Sequence, residues 1–217
     1  MTFIRLQVKA LLDRNAVLFA GLIFLGMGLF GAVQGSSPGR GGLALWLQLE
    51  GMLCLYGVIV TELAKPALIR DKQTKRLEFL LANGLPLKYL VRGYLVSLYL
   101  ASLILWLPSL LFEGLHAFIH SMGSEFLLLL MGLLIQSFLI TWGLVNAILS
   151  RENLGRLNAI QYQTVLVNGI LAALSLAIYH HQSMVEYYLA TKLLLLIGVG
   201  LWLKRRRTVE GIVRSYY

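Results

Sequence analysis

The sequence predicts an all-α integral membrane protein of six spanning helices, and three observations carry that prediction. Of its 217 residues 58% are apolar, only 13% are charged, and the mean hydropathy is +0.75. An ordinary soluble domain is about 45–50% apolar and about 25% charged, and a disordered chain is poorer still in apolar residues. The apolar residues also collect in runs near the ~20 that a helix needs to cross a bilayer, with no strand-like alternation competing. The single cysteine, Cys54, lies inside one such run and leaves no intrachain disulfide.

Taken in order, the chain opens with an amphipathic segment. On a helical wheel Phe3, Ile4, Val8, Leu11 and Leu12 take one half, and Arg5, Lys9 and Asp13 the other. This predicts an interfacial helix leading into a retained first span at 16–33, whose 18 apolar-rich residues are long for the core of a cleaved signal peptide. Gly21, Gly26, Gly28 and Gly31 permit close helix approach there, with Gly28 and Ala32 at small-xxx-small spacing. After the turn GSSPGRGG, span two is expected at 43–62, span three at 94–112 and span four at 126–149. Spans five and six follow at 164–179 and 187–203, so that 1–217 is one transmembrane domain. Trp46, Tyr89, Tyr94, Trp106, Tyr179, Tyr187, Tyr188 and Trp202 read as an interfacial aromatic belt.

The charge is the second pattern: 19 Lys+Arg against 10 Asp+Glu, formally +9. In a soluble protein that would suggest nucleic acid. Here 17 of the 19 fall before span one, in loop 63–93, after span four or in the tail, and only Arg40 and Lys192 fall opposite. By the positive-inside rule both termini are expected in the cytoplasm, which suits a multi-pass protein of the inner (cytoplasmic) membrane. The closing KRRR (204–207) then anchors span six to the bilayer, and no nucleic-acid partner is implied.

Loop 63–93 is long for a connection between spans and holds seven of the basic residues. Its stretch Asp71–Ala82 predicts a short helix ended by Asn83-Gly84 and Pro86, with Leu77, Leu80 and Leu81 on one face and Lys72, Lys75 and Arg76 to the other side. Such an element either lies on anionic lipid or docks into a partner's groove. The run Arg70-Asp71-Lys72 … Leu77-Glu78-Phe79-Leu80-Leu81-Ala82 … Leu85-Pro86-Leu87, followed by an apolar span, resembles the type-2 ABC exporter permeases. Six spans with both termini inside, after an amphipathic start, match that family in layout. The resemblance implies a dimer, homomeric or heteromeric, each half seated on a cytoplasmic ATPase subunit that binds ATP and Mg. It makes 70–82 a coupling helix, with Leu77, Leu80 and Leu81 filling a groove of the ATPase and Lys75, Arg76 and Glu78 orienting it. The chain has no Gly-x-x-x-x-Gly-Lys-[Ser/Thr] loop and no cofactor motif, so ATP hydrolysis would belong to the partner.

Within the spans, Glu50, two residues after Gln48, is the costly group. Two readings stand: Gln48 and Glu50 line a translocation path, or Glu50 bonds to Gln136, Asn146 or Asn168 between helices. Glu62, at the end of span two, is expected to pair with a neighbouring Lys or Arg. His116 and His120, near Glu113, and the pair His180-His181 fall in the loops opposite the basic side; i, i+4 spacing suits metal ligands, but short external loops more often carry solvated histidines, and no metal is assigned. No nucleophile–base constellation is legible. The sequence thus leads to the permease subunit of an ATP-driven exporter of amphipathic, lipid-like or peptide cargo. The alternative is a membrane-embedded assembly protein whose basic loop binds a non-ATPase partner or anionic lipid.

Overall fold

The structure, a computed structural model, describes residues 2–14, 16–18, 21, 41–119, 122–151, 159–178, 185–209 and 212. Most of the first span expected at 16–33, its Gly26, Gly28 and Gly31, and residues 35–40 of the GSSPGRGG turn lie outside those residues, while Gly41 and Gly42 of that turn open the next helix. Among the described residues there are helices and no strand: α1 (Thr2–Leu11), α2 (Gly41–Ala64), α3 (Arg70–Gln73), α4 (Arg76–Ala82), α5 (Leu87–Ile119), α6 (Gly123–Ser150), α7 (Ala159–Ile178) and α8 (Val185–Arg206). Four stretches are long and apolar enough to cross a membrane: Leu45–Gln73, Leu87–Ile119, Phe126–Ser150 and Glu186–Arg206. Within α7 the apolar stretch is shorter, Tyr162–Ser175.

α1 is amphipathic as its wheel implies: Leu11 is buried, Ile4, Val8 and Leu12 are half-buried, and Lys9 and Asp13 are exposed. Its apolar face packs along α5. Asp13 then caps the next helical segment, its Oδ1 accepting the Ala16 amide at 2.8 Å. α2 is the central helix and packs against α5, α6 and α7, while α8 packs on α6. The core runs along α2: Tyr56 lies 4.9 Å from Trp106 of α5, ring centre to ring centre, and both are fully buried with Met52, Leu98 and Ile148. The outward faces of α5, α6, α7 and α8 are lined with exposed Leu, Ile, Val and Phe, as an apolar solvent requires.

Loop 63–93 is much shorter than its hydropathy suggests. α2 runs on through a π-helical turn, Lys65–Ile69, into α3, and α5 begins at Leu87. Pro66 sits in the first turn of the π segment, where a missing N–H is tolerated, so the helix widens instead of stopping. The single helix expected over 70–82 is likewise two pieces. Thr74 and Lys75 break it, Lys75 taking a left-handed φ of 59°. At the far end α5 continues past 112 to Ile119, so Glu113 and His116 are helical residues and not loop residues.

Aromatic side chains pack closely on several glycines, Gly114 meeting Phe126 between α5 and α6. A Cβ built on Gly123 would stand 2.6 Å from the Phe118 ring at the α5–α6 turn, and one on Gly200 would stand 2.2 Å from the Trp142 ring between α8 and α6. Gly198, two residues earlier and so ~200° around α8, has open space. Gly200→Val is therefore expected to lower the thermal unfolding midpoint in detergent by several degrees, an overpacking cost of about 1–3 kcal/mol. Gly198→Ala should leave the midpoint unchanged or raise it.

Candidate functional site

Two groups of polar residues stand out, one at the basic end of the bundle and one inside it. At the basic end, Lys72 of α3 is fully buried, and its Nζ donates to the backbone carbonyls of Ile148 (2.9 Å), Leu149 (3.2 Å) and Arg151. Those are the terminal carbonyls of α6, where a positive charge meets the negative end of the helix dipole. Asp71, beside it, accepts the Tyr94 hydroxyl of α5 at 2.5 Å and lies 3.4 Å from the Arg76 guanidinium. Glu62 pairs with Lys65 at 2.7 Å, the kind of partner expected for it. Arg207 donates to Asn146 Oδ1 at 2.8 Å, and Arg151 to Gln163 at 2.6 Å, so the basic termini of α6, α7 and α8 gather at the same end. Burial pulls the Arg207 pKa below its ordinary value.

The six residues read as a docking face divide. Lys75 and Arg76 are exposed, Glu78, Leu80 and Leu81 are half-buried, and Leu77 is 2% exposed within the core of this chain. Leu77 therefore serves the fold and has no surface to offer a groove. Lys72 is not on a solvated face either, since it caps α6. The residue that sequence reasoning missed is Phe79, 67% exposed on α4. At ~100° per residue it lies opposite the Leu77–Leu81 pair, and a large aromatic residue against the apolar stripe was the available signal.

Inside the bundle Gln48 and Glu50 are not brought together. Two residues apart on a helix, they are ~200° apart around it and face different neighbours. Gln48 Nε2 donates to Glu113 Oε1 of α5 at 2.6 Å, and Glu113, 1% exposed, has no partner for Oε2 among the described residues. Glu50 instead forms a buried ion pair with Lys192 of α8. Ser175 of α7 donates to the same carboxylate oxygen at 3.5 Å and bonds the Tyr188 hydroxyl at 2.8 Å. Trp46, one turn before Glu50, meets the Tyr188 ring edge-on at 6.1 Å. Gln136 and Asn146 are thus not the partners of Glu50, and the Asn168 side chain lies outside the described positions. Lys192 escaped the sequence reading because its approach to Glu50 spans 142 residues of chain.

His116 is half-buried one turn beyond Glu113, while His120, His180 and His181 lie outside the described residues. Among the described residues no three of His, Cys, Asp and Glu are grouped to hold a metal ion. A groove of about 350 Å³ opens between the end of α1, α2 and α5, with apolar walls from Leu11, Ile59, Leu63 and Leu105 and acidic Asp13 and Glu62 at its edge.

Removing one partner of a buried ion pair strands the other, which costs about 3–5 kcal/mol. Glu50→Gln or Lys192→Met alone is expected to destabilise the protein by that order in detergent unfolding. Glu50→Leu combined with Lys192→Leu should recover most of the loss, because no charge is left unpaired. No protein-family model, curated protein or solved structure matches this chain.

Proposed function

We propose that this chain is the permease subunit of an ATP-driven exporter of the type-2 ABC kind, working as a dimer with a like permease in the inner membrane. A cytoplasmic ATPase holding ATP and Mg would dock on α4. The observation that carries the reading is the way α4 is mounted. An exposed Phe79 with exposed Lys75 and Arg76 stands on a short helix, and the adjoining Asp71 and Lys72 are bonded to α5 and α6. An apolar anchor ringed by charges is the usual make-up of a docking hot spot. A force applied at α4 would reach α2 through the continuous α2–π–α3 helix, α5 through Asp71–Tyr94 and α6 through Lys72. Cargo would be amphipathic, lipid-like or peptide. Gln48 and Glu113 on the α2–α5 seam are the polar groups best suited to meet it, since one oxygen of the Glu113 carboxylate has no hydrogen-bond partner among the described residues.

The test is co-purification with the cognate ATPase and measurement of ATP hydrolysis in the complex. Phe79→Asp is expected to reduce binding at least tenfold, a hot-spot loss of about 2 kcal/mol or more. Lys72→Met should leave the ATPase bound but lower transport per ATP hydrolysed. Retention of the ATPase at parental affinity by Phe79→Asp would overturn α4 as the docking element.

A further inference from the structure

The outward face of α5 changes character along its length without changing direction. Tyr89, Arg92, Val96, Leu100 and Leu107 follow one another at steps of three or four, or seven, residues, which places them on one stripe of the helix. Tyr89 is 65% exposed, Leu100 42% and Leu107 52%; Arg92 is exposed and Val96 half-buried. Lys88 is exposed too and lies one turn before Arg92. The opposite side of α5 is occupied, with Leu90, Tyr94, Leu98 and Ala101 buried against the rest of the bundle. The stripe thus begins with two cations and a phenol at the end of a spanning helix and passes directly into bare aliphatic surface.

The two cations also lack protein counter-charges among the described residues. The ion pairs there are Glu62–Lys65, Asp71–Arg76 and Glu50–Lys192, and neither Lys88 nor Arg92 takes part in one. From Val96 to Leu107 the stripe rises about 17 Å, close to one leaflet's share of a ~30 Å hydrocarbon core. A soluble acidic partner would meet the cations but would leave the continuous apolar stripe unmatched. A molecule with an anionic head and acyl chains matches both in the right order.

We propose that this stripe is a binding site for an anionic phospholipid, with Lys88 and Arg92 on the headgroup phosphate, Tyr89 at the glycerol level and Val96, Leu100 and Leu107 along an acyl chain. The site is separate from α4 and does not depend on the chain's being a permease. Each cation contributes about fivefold in affinity, the equivalent of about 1 kcal/mol.

The experiment is native mass spectrometry of the whole chain, without any ATPase, titrated in detergent with phosphatidylglycerol or phosphatidylcholine. Phosphatidylglycerol is expected to bind at least tenfold more tightly. Lys88→Gln and Arg92→Gln should each cost about fivefold and the double variant about thirtyfold, while phosphatidylcholine binding stays unchanged. Lys88→Arg should retain affinity. Equal binding of the two lipids, or unaltered phosphatidylglycerol binding by the double variant, would overturn the proposal. So would displacement of the lipid by sn-glycerol 3-phosphate, which would make this a soluble phosphate site, or by a polyglutamate peptide, which would make it a protein-docking face. Both variants are at exposed positions, and unchanged helical circular dichroism checks that they fold.

Discussion

A polar side chain inside an apolar bundle must find a partner on another helix, and α2 is built around that constraint. Gln48 reaches Glu113 on α5, Glu50 reaches Lys192 on α8 and Ser175 on α7, and Tyr56 bonds Thr141 of α6 at 2.6 Å. Each large neighbour is therefore met by its own specific bond. Apolar packing alone, being non-directional, would allow α2 to rotate or slide among lipid-like surfaces. The bonds remove that freedom. α8 shows the point most clearly: it packs on α6, most of its other residues are exposed, and the buried Lys192 links it to α2. The indole N–H groups of Trp46 and Trp106 and the Gln136 carbonyl are among the buried groups that have no hydrogen-bond partner among the described residues.

The basic end works differently. Positive charge there is divided between residues that hold the fold and residues that stand exposed. Lys72, Lys65, Arg151 and Arg207 are bonded within the chain, whereas Lys88 and Arg92 are exposed and in no ion pair among the described residues. A sum of basic residues in this region therefore overstates the charge offered to a partner or a membrane. It also separates two surfaces, α4 with its exposed Phe79 and the start of α5 with Tyr89, which differ in what lies beside them.

Helical class and four of the expected spanning stretches were legible because hydropathy reports them directly, and so was the amphipathic face of α1, where Leu11 and Val8 turn inward. Helix ends were not legible at the basic side. Lys65, Arg70, Lys72, Lys88 and Arg92 lower hydropathy without interrupting the helices that carry them. Pairing was the other blind spot. Glu50 could be flagged as costly from its own position, but Lys192 as its partner depends on which helices become neighbours, and Glu113, read as a loop residue, was not flagged at all. Within α4 the periodicity was read correctly, with Leu77 and Leu81 on one face. What it did not settle was whether that face turns to a partner or to the chain's own core, and the core takes it.

The π-helical turn at Lys65–Ile69 carries a consequence for register. A π turn accommodates one residue more than an α turn, so everything beyond it is rotated by ~100° relative to an uninterrupted α-helix. Asp71 and Lys72 lie just past it and are the residues that meet Tyr94 and the end of α6. Were the widening to close, the helix would still reach Gln73, but the Asp71 and Lys72 side chains would swing about a quarter-turn off their partners. The insertion thus acts as an angular setting for the clasp, independent of the length or apolarity of the span that precedes it.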